Sequence, residues 1–387
     1  MNAVLAYVRE GHDSPEVDWY SHKNTKRGWY HALWMDRTES GREFIHGLTR
    51  ERPPRDGDLL PGVKGNAQSW AVGAYNDVGG YTLGQVFSNP CNPDLNKALF
   101  AEGTVSFKLL FTTATPKTLP FLEGTKKWQA DIWTTLEQRR DSNGRIIPTK
   151  RDIQDVYLLQ LDIAVRDNNA TETGWVFGTF VYRNDAPGET VFDRMVPVSL
   201  QWGNDPKKSP DEVLEETRIN PDLAGKNFGW KERPWFGWHG RANGPIDNKE
   251  SSCLSCHGSA QFPRSTSWGN LISSNPSPPQ QKIRDDAHRM AVYFRNIKPG
   301  ELFDPTTPSA KALDYSLQLQ SGMERMCSSF RAGSTRGTNK DLAGLPVPNV
   351  CVFQQKIMTS MKQEELRRYL KLTVKGEELD FVSKKNK

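Results

Sequence analysis

Four runs between positions 103 and 205 set the pattern of the chain. TVSFKLLFTTAT, DVYLLQLDIAVRD, GWVFGTFVYRND and VPVSLQWGND are rich in β-branched and aromatic residues and are bounded by Asn, Asp, Gly and Pro, which predicts four strands. In Tyr157–Val165 extra leucines break the alternation, as in a central strand buried on both faces, whereas Trp175, Phe177, Thr179 and Val181 share one face of the next strand. Polar loops between the runs predict an antiparallel sheet. Residues 1–100 are mixed: helix-like stretches at Trp19–Met35 and Gly41–Thr49 give way to Pro- and Gly-rich punctuation from Pro53 to Pro93, an irregular wrapping segment. Residues 205–250 are a Pro-, Gly- and Trp-rich connector with a short helix expected near Pro210–Thr217. Beyond the loop SSNPSPPQ, apolar residues at i, i+3, i+4 spacing predict helices at Gln281–Ile297, Ala310–Phe330 and Thr359–Leu372. The expected fold class is α+β: a wrapping segment (1–100), an antiparallel sheet core (101–205) and a mainly helical segment (206–387).

Composition narrows the function classes. With 387 residues, 36% of them apolar and 25% charged, the chain has the make-up of a slightly polar globular protein with ample mass for a core. No apolar run approaches the ~20 residues of a transmembrane helix, and the longest candidate, Val156–Val165, contains Gln160 and Asp162. The net charge of +5 is spread along the chain except for the Lys-rich tail Lys384–Lys387, too dilute for a nucleic-acid groove. Twelve Trp are an excess that suggests something flat and apolar to be lined. The start, MNAVLAYVREGHDSPE, lacks the basic region and apolar run of a secretory signal.

One motif carries chemistry. Cys253-Leu254-Ser255-Cys256-His257 is a C-x-x-C-H run, the haem c attachment pattern, in which two thiols add across the porphyrin vinyl groups and the next imidazole ligates iron. The spacing has a physical reason: one turn sets the sulfurs at the vinyl separation and swings His257 beneath the metal. Five Cys and seven His placed at random would produce such a run in about 1 in 1,000 chains of this composition. The alternatives are a thioredoxin-like dithiol, which wants a βαβ context, and half of a zinc site, which wants a second CxxC, CxxH or HxxxH; the sequence offers neither.

In these residues the chain resembles the c-type cytochromes, Cys253 and Cys256 matching the thioether cysteines and His257 the proximal ligand. The likeness covers only the motif and its neighbourhood. Strands of the type EGTVSFK and TGWVFGTF ahead of a late C-x-x-C-H are also similar to the β-sheet haem proteins of the cytochrome P-460 and cytochrome c-prime-beta kind, although those end soon after the motif and this chain continues for 130 residues. That resemblance offers Lys108 as the counterpart of their haem-crosslinking lysine.

The sixth ligand divides electron transfer from chemistry at an open iron. Met358 and Met361 precede EELRRYLKL, which looks like the closing helix of a small class I cytochrome, and are the expected metal ligands beside His257; core-filling Met is the plain alternative. Met290, His288 and His239 are lesser candidates, and an iron without a protein sixth ligand is the remaining one. Trp235, Phe236 and Trp238 could pack on a macrocycle or form an ordinary core cluster, and Arg241 could pair with a propionate or simply lie in a surface turn. Of the other cysteines, Cys327 and Cys351 bracket a ~25-residue flexible stretch and form the preferred disulfide, with Cys91 left over; two buried free thiols are the alternative. The sequence therefore predicts an exported, periplasmic-type monohaem c-type cytochrome with one covalent haem c, its signal upstream, transferring one electron to a redox partner protein. The rival classes are an oxidase- or peroxidase-like haem enzyme with a small-molecule ligand at the haem and a gas-binding haem protein.

Overall fold

The computed structural model describes residues 1–34, 43, 45–60, 62–134, 151–209, 212–225, 237–265, 287–332, 348, 350 and 351. Their elements run α1 (Asn2–Arg9), β1 (Thr49–Arg50), β2 (Ser69–Tyr75), α2 (Asp77–Val86), β3 (Val105–Thr112), β4 (Lys127–Trp133), β5 (Arg151–Arg166), β6 (Trp175–Tyr182), β7 (Met195–Gln201) and β8 (Thr217–Ile219). Then follow α3 (Pro221–Gly225), α4 (Cys253–Gly258), β9 (Gln261–Phe262), α5 (Ala287–Tyr293), β10 (Lys311–Ala312) and α6 (Leu317–Ala332). Strands β1 to β8 form one antiparallel sheet in the order β1-β2-β3-β5-β6-β7-β8, and β4 pairs with the first half of β5 along the edge that β3 occupies further on. The fold is α+β.

The four strands expected between 103 and 205 are β3, β5, β6 and β7. The sheet is larger than that segment, because β1 and β2 come from the first 100 residues and β8 from beyond 205. Trp19–Trp34 is not an α-helix but turns with one 3-10 stretch, and residues 212–217 hold no helix. In the helical third, α5 ends at Tyr293 rather than Ile297 and α6 begins at Leu317 rather than Ala310, while 281–286 and Thr359–Leu372 lie outside the described residues. Among the described residues no helix is long and apolar enough to cross a membrane.

The two faces of the sheet differ. Trp70, Val72 and Ala74 on β2, Phe107, Leu109 and Phe111 on β3, Leu161 and Ile163 on β5 and Phe180 on β6 lie in register on one face. The N-terminal segment covers them with Val8, Trp19, Trp29 and Leu48. The alternate positions make the other face, apolar at one end with Tyr75, Ala164 and Phe177, and polar at the other with Lys108, Gln160, Asp162 and Thr179. A second core containing Leu254, Tyr293, Phe294, Tyr315 and Met323 covers the apolar end. The expected disulfide is present: Cys327 on α6 is bonded to Cys351, both fully buried, while Cys91 is an exposed thiol.

Candidate haem-attachment site

The C-x-x-C-H run folds as α4 because its start is closed by a reciprocal cap. Ser252 Oγ accepts from the Ser255 amide at 3.1 Å, and Ser255 Oγ accepts from the Ser252 amide at 3.0 Å. Leu254 pins the helix into the second core, and its amide donates to Gln201 Oε1 of β7 at 3.3 Å. Cys253, Cys256 and His257 therefore stand at i, i+3 and i+4 on one helix face, and all three line one cavity against the sheet.

His257 is held by its first ring nitrogen. Nδ1 lies 2.9 Å from the Tyr315 carbonyl, which can only accept, so the proton sits on Nδ1 and Nε2 keeps its lone pair. Phe177 packs against the imidazole at 4.7 Å between centroids. Burial disfavours the imidazolium and lowers the pKa to about 4 against the pull of the Tyr315 carbonyl, so the ring is neutral at pH 7, the form that binds a metal. The carbonyl is itself positioned by strain. Asp314 and Tyr315 have φ of 44° and 66°, two successive left-handed non-glycine residues. The buried Asp314 carboxylate fixes them by accepting from the Phe100 amide (2.8 Å) and Trp175 Nε1 (3.1 Å), and the Tyr315 hydroxyl donates to the Ile297 carbonyl at 2.7 Å.

Both cysteines are free of disulfides, and burial pushes Cys256 up to about 12 and Cys253 well above its ordinary value. They are thiols at neutral pH, not the thiolates of an activated redox pair. Nor do three His, Cys, Asp or Glu side chains gather into a metal-holding group among the described residues.

Facing α4 across the cavity is a polar wall. Lys108 Nζ of β3 pairs with Asp162 Oδ2 of β5 at 3.0 Å. Gln160 Nε2 bridges Asp162 Oδ1 (2.7 Å) and Asp247 Oδ2 (2.8 Å), and Thr179 donates to Asp162 Oδ1 at 2.9 Å. The loop bearing Asp247 comes this close because residue 244 is glycine; a Cβ there would lie 2.2 Å from the Gln160 amide. Glu51 and Arg52, just after β1, complete the wall. Burial alone would lower the Lys108 pKa, but Asp162, Asp247 and Glu51 outweigh it and hold the ammonium well above its usual range. Burial raises the Asp162 carboxyl despite Lys108.

These residues fit a haem held by two thioethers and one imidazole. The three donors share a face, and Nε2 has no hydrogen-bond partner among the described residues. Arg52 donates to the Ile246 carbonyl (2.9 Å) and to Asp58 (2.7 Å), which leaves its Nε a buried donor without a hydrogen-bond partner beside the cavity. The cavity has a volume of about 190 Å³, less than a typical cofactor pocket of ~300–1,000 Å³.

Other expected residues lie elsewhere. Arg241 is buried and donates to the carbonyls of Asn204 (2.7 Å), Asp205 (3.1 Å) and Trp238 (3.3 Å), so it clamps a loop and does not reach the cavity. Trp238 packs on the second core, not on the site, and no described tryptophan lines the cavity; Trp19, Trp29, Trp70, Trp128 and Trp133 fill the first core instead. Met290 and His239 are likewise not among the lining residues. Met358, Met361, Trp235, Phe236 and the His288 side chain lie outside the described residues. Lys108 does stand on the cavity. Sequence reasoning missed Glu51, Arg52, Asp162 and Asp247; the available signal, for Asp162 alone, was the single charge inside LLQLDIAV. Compared with family models, curated proteins and solved structures, the chain matches none.

Proposed function

We propose that this protein is an exported monohaem c-type cytochrome, binding one haem c through Cys253 and Cys256 with His257 as proximal ligand. The observation that carries the reading is the convergence of both thiols and a neutral imidazole, its Nδ1 proton committed to Tyr315, on one cavity. Haem, when bound, supplies reversible one-electron chemistry. The chain's own residues hold and orient it: α4 presents the attachment thiols, the Asp314–Tyr315 turn aims the imidazole, Arg52 and Lys108 supply positive charge, and Phe177 and Leu317 give apolar contact. A redox partner protein is the proposed electron source or sink. The test is covalent attachment: haem is expected to stay with the polypeptide on a denaturing gel, and Cys256→Ser to lose most of it. Free extraction of all haem into acidified organic solvent refutes the reading.

A second reading is favoured by Lys108, Asp162 and Ser106 on the cavity wall. Polar groups of this kind suit a haem enzyme of the cytochrome P-460 type, or a gas-binding protein, with a small molecule on an open iron face. Absorption spectra separate the two: a low-spin ferric form indifferent to carbon monoxide after reduction fits the carrier, and a high-spin form that binds it readily fits the open site.

A further inference from the structure

We propose that reduction of the haem held at this site is coupled to uptake of one proton by the carboxylate cluster Glu51, Asp162 and Asp247. The inference rests on the haem c reading. Its basis is an imbalance of charge inside one cavity. Three elements bring three carboxylates to the wall: the segment after β1 (Glu51), β5 (Asp162) and the loop before α4 (Asp247), while β3 supplies one ammonium, Lys108. Asp162 is answered by Lys108, and Asp247 takes hydrogen bonds from Gln160 and from the Gly244 amide at 3.1 Å. The second cation on the wall, Arg52, is committed to Asp58 at 2.7 Å. Glu51 accepts no hydrogen bond among the described residues.

Glu51 is thus the carboxylate with least to lose on protonation. Burial raises its affinity for a proton, Asp247 and Asp162 raise it further, and Lys108 and, from α6, Arg325 oppose them. The remaining facing groups, His257, Cys253 and Cys256 of α4, are neutral at pH 7. A ferric haem brings one positive charge more than a ferrous one, and this charge is felt strongly in a poorly solvated cavity. The step balances: one electron from a one-electron donor enters the iron, one proton from solvent forms an O–H bond on a carboxylate, and no other bond changes. Reoxidation returns both.

Because the reduced form binds the proton more tightly, the reduction potential falls as pH rises between the cluster's two pKa values, those of the oxidised and reduced states. A tenfold change in affinity equals about 59 mV for one electron, so the full slope is about 59 mV per pH unit. The experiment is a mediated redox titration, with dithionite as reductant, of the intact holoprotein from pH 5 to 9, after mass spectrometry has confirmed covalent haem. A chain without haem fails at that earlier step and refutes the cofactor reading alone. The wild type is expected to approach this slope over at least one pH unit. The isosteric Glu51→Gln is expected to flatten it and to raise the potential at high pH, with circular dichroism confirming the fold. Loss of the slope in Asp162→Asn or Asp247→Asn instead keeps the proposal and moves the proton within the cluster. A wild-type potential independent of pH overturns it, as does a slope surviving in all three variants.

Discussion

Asp314→Ala tests whether the strained turn behind His257 is what aims the imidazole. Asp314 is 4% exposed, and its carboxylate accepts from the Phe100 amide and Trp175 Nε1. Alanine leaves both donors buried without a partner, each costing roughly 1–3 kcal/mol. It also removes the local tie that makes φ of 44° tolerable, since Asp favours the left-handed region more than Ala does. Two orphaned donors at a middling ~1.5 kcal/mol each give a loss of about 3 kcal/mol. An unfolding entropy of ~2.1 cal/mol/K per residue, taken over 387 residues, is ~0.8 kcal/mol/K, so the melting temperature falls by about 4 °C. Differential scanning calorimetry of the haem-free protein measures the loss. Nitrogen-15 NMR of the histidines gives the second readout, because a released turn frees the Nδ1 proton of His257 to exchange. A variant that melts within 1 °C of wild type and keeps the His257 signals unchanged refutes the account.

Joining Cys327 to Cys351 closes a loop spanning 24 residues of separation, for which the chain-entropy relation gives about 3.5 kcal/mol; the Cys327→Ala/Cys351→Ala double variant is expected to lose stability on that scale, and an unchanged denaturation midpoint contradicts it. The folded pKa of about 4 for His257 lies below the unfolded value near 6.5, so the unfolded chain binds the extra proton first. Haem-free protein is therefore expected to lose up to ~1.4 kcal/mol per pH unit as pH falls from about 6.5 towards 4, and His257→Gln to remove this slope; equal slopes in both proteins count against a buried neutral imidazole. On the carrier reading, Met358→Ala or Met361→Ala turns low-spin ferric haem high-spin and lowers the potential, because a thioether favours reduced iron; spectra unchanged in both variants move the function to an open iron.

The C-x-x-C-H run was legible because its pattern is local: five consecutive residues on one turn need no tertiary information to be recognised. The four central strands were legible for the same reason. β2, SWAVGAY, was hidden among prolines and glycines, and β4, KWQADIW, alternates between exposed and buried only over its first four residues. Partners of the site were less accessible. Arg241 and Trp238 are near His257 in sequence yet face elsewhere, while Glu51 and Lys108 are far away in sequence and reach the cavity only through sheet pairing. Among the described tryptophans, five fill the first core, across the sheet from the cavity, and none lines the cavity.

The polar wall also settles how the strands align. Lys108 lies opposite Asp162, and Asp162 opposite Thr179, in a rung that crosses β3, β5 and β6. Sliding β5 by one residue turns Asp162 towards the face of Leu109, Phe111 and Trp29, away from its ammonium, and sends Leu161 or Ile163 to the cavity. A carboxylate entering that core unpaired costs far more than the exchanged leucine contacts could return. Correct pairing is thus discriminated by misplaced charge as well as by hydrophobic contact. A chain with leucine at both positions 108 and 162 would be more apolar, and less certain of its own register.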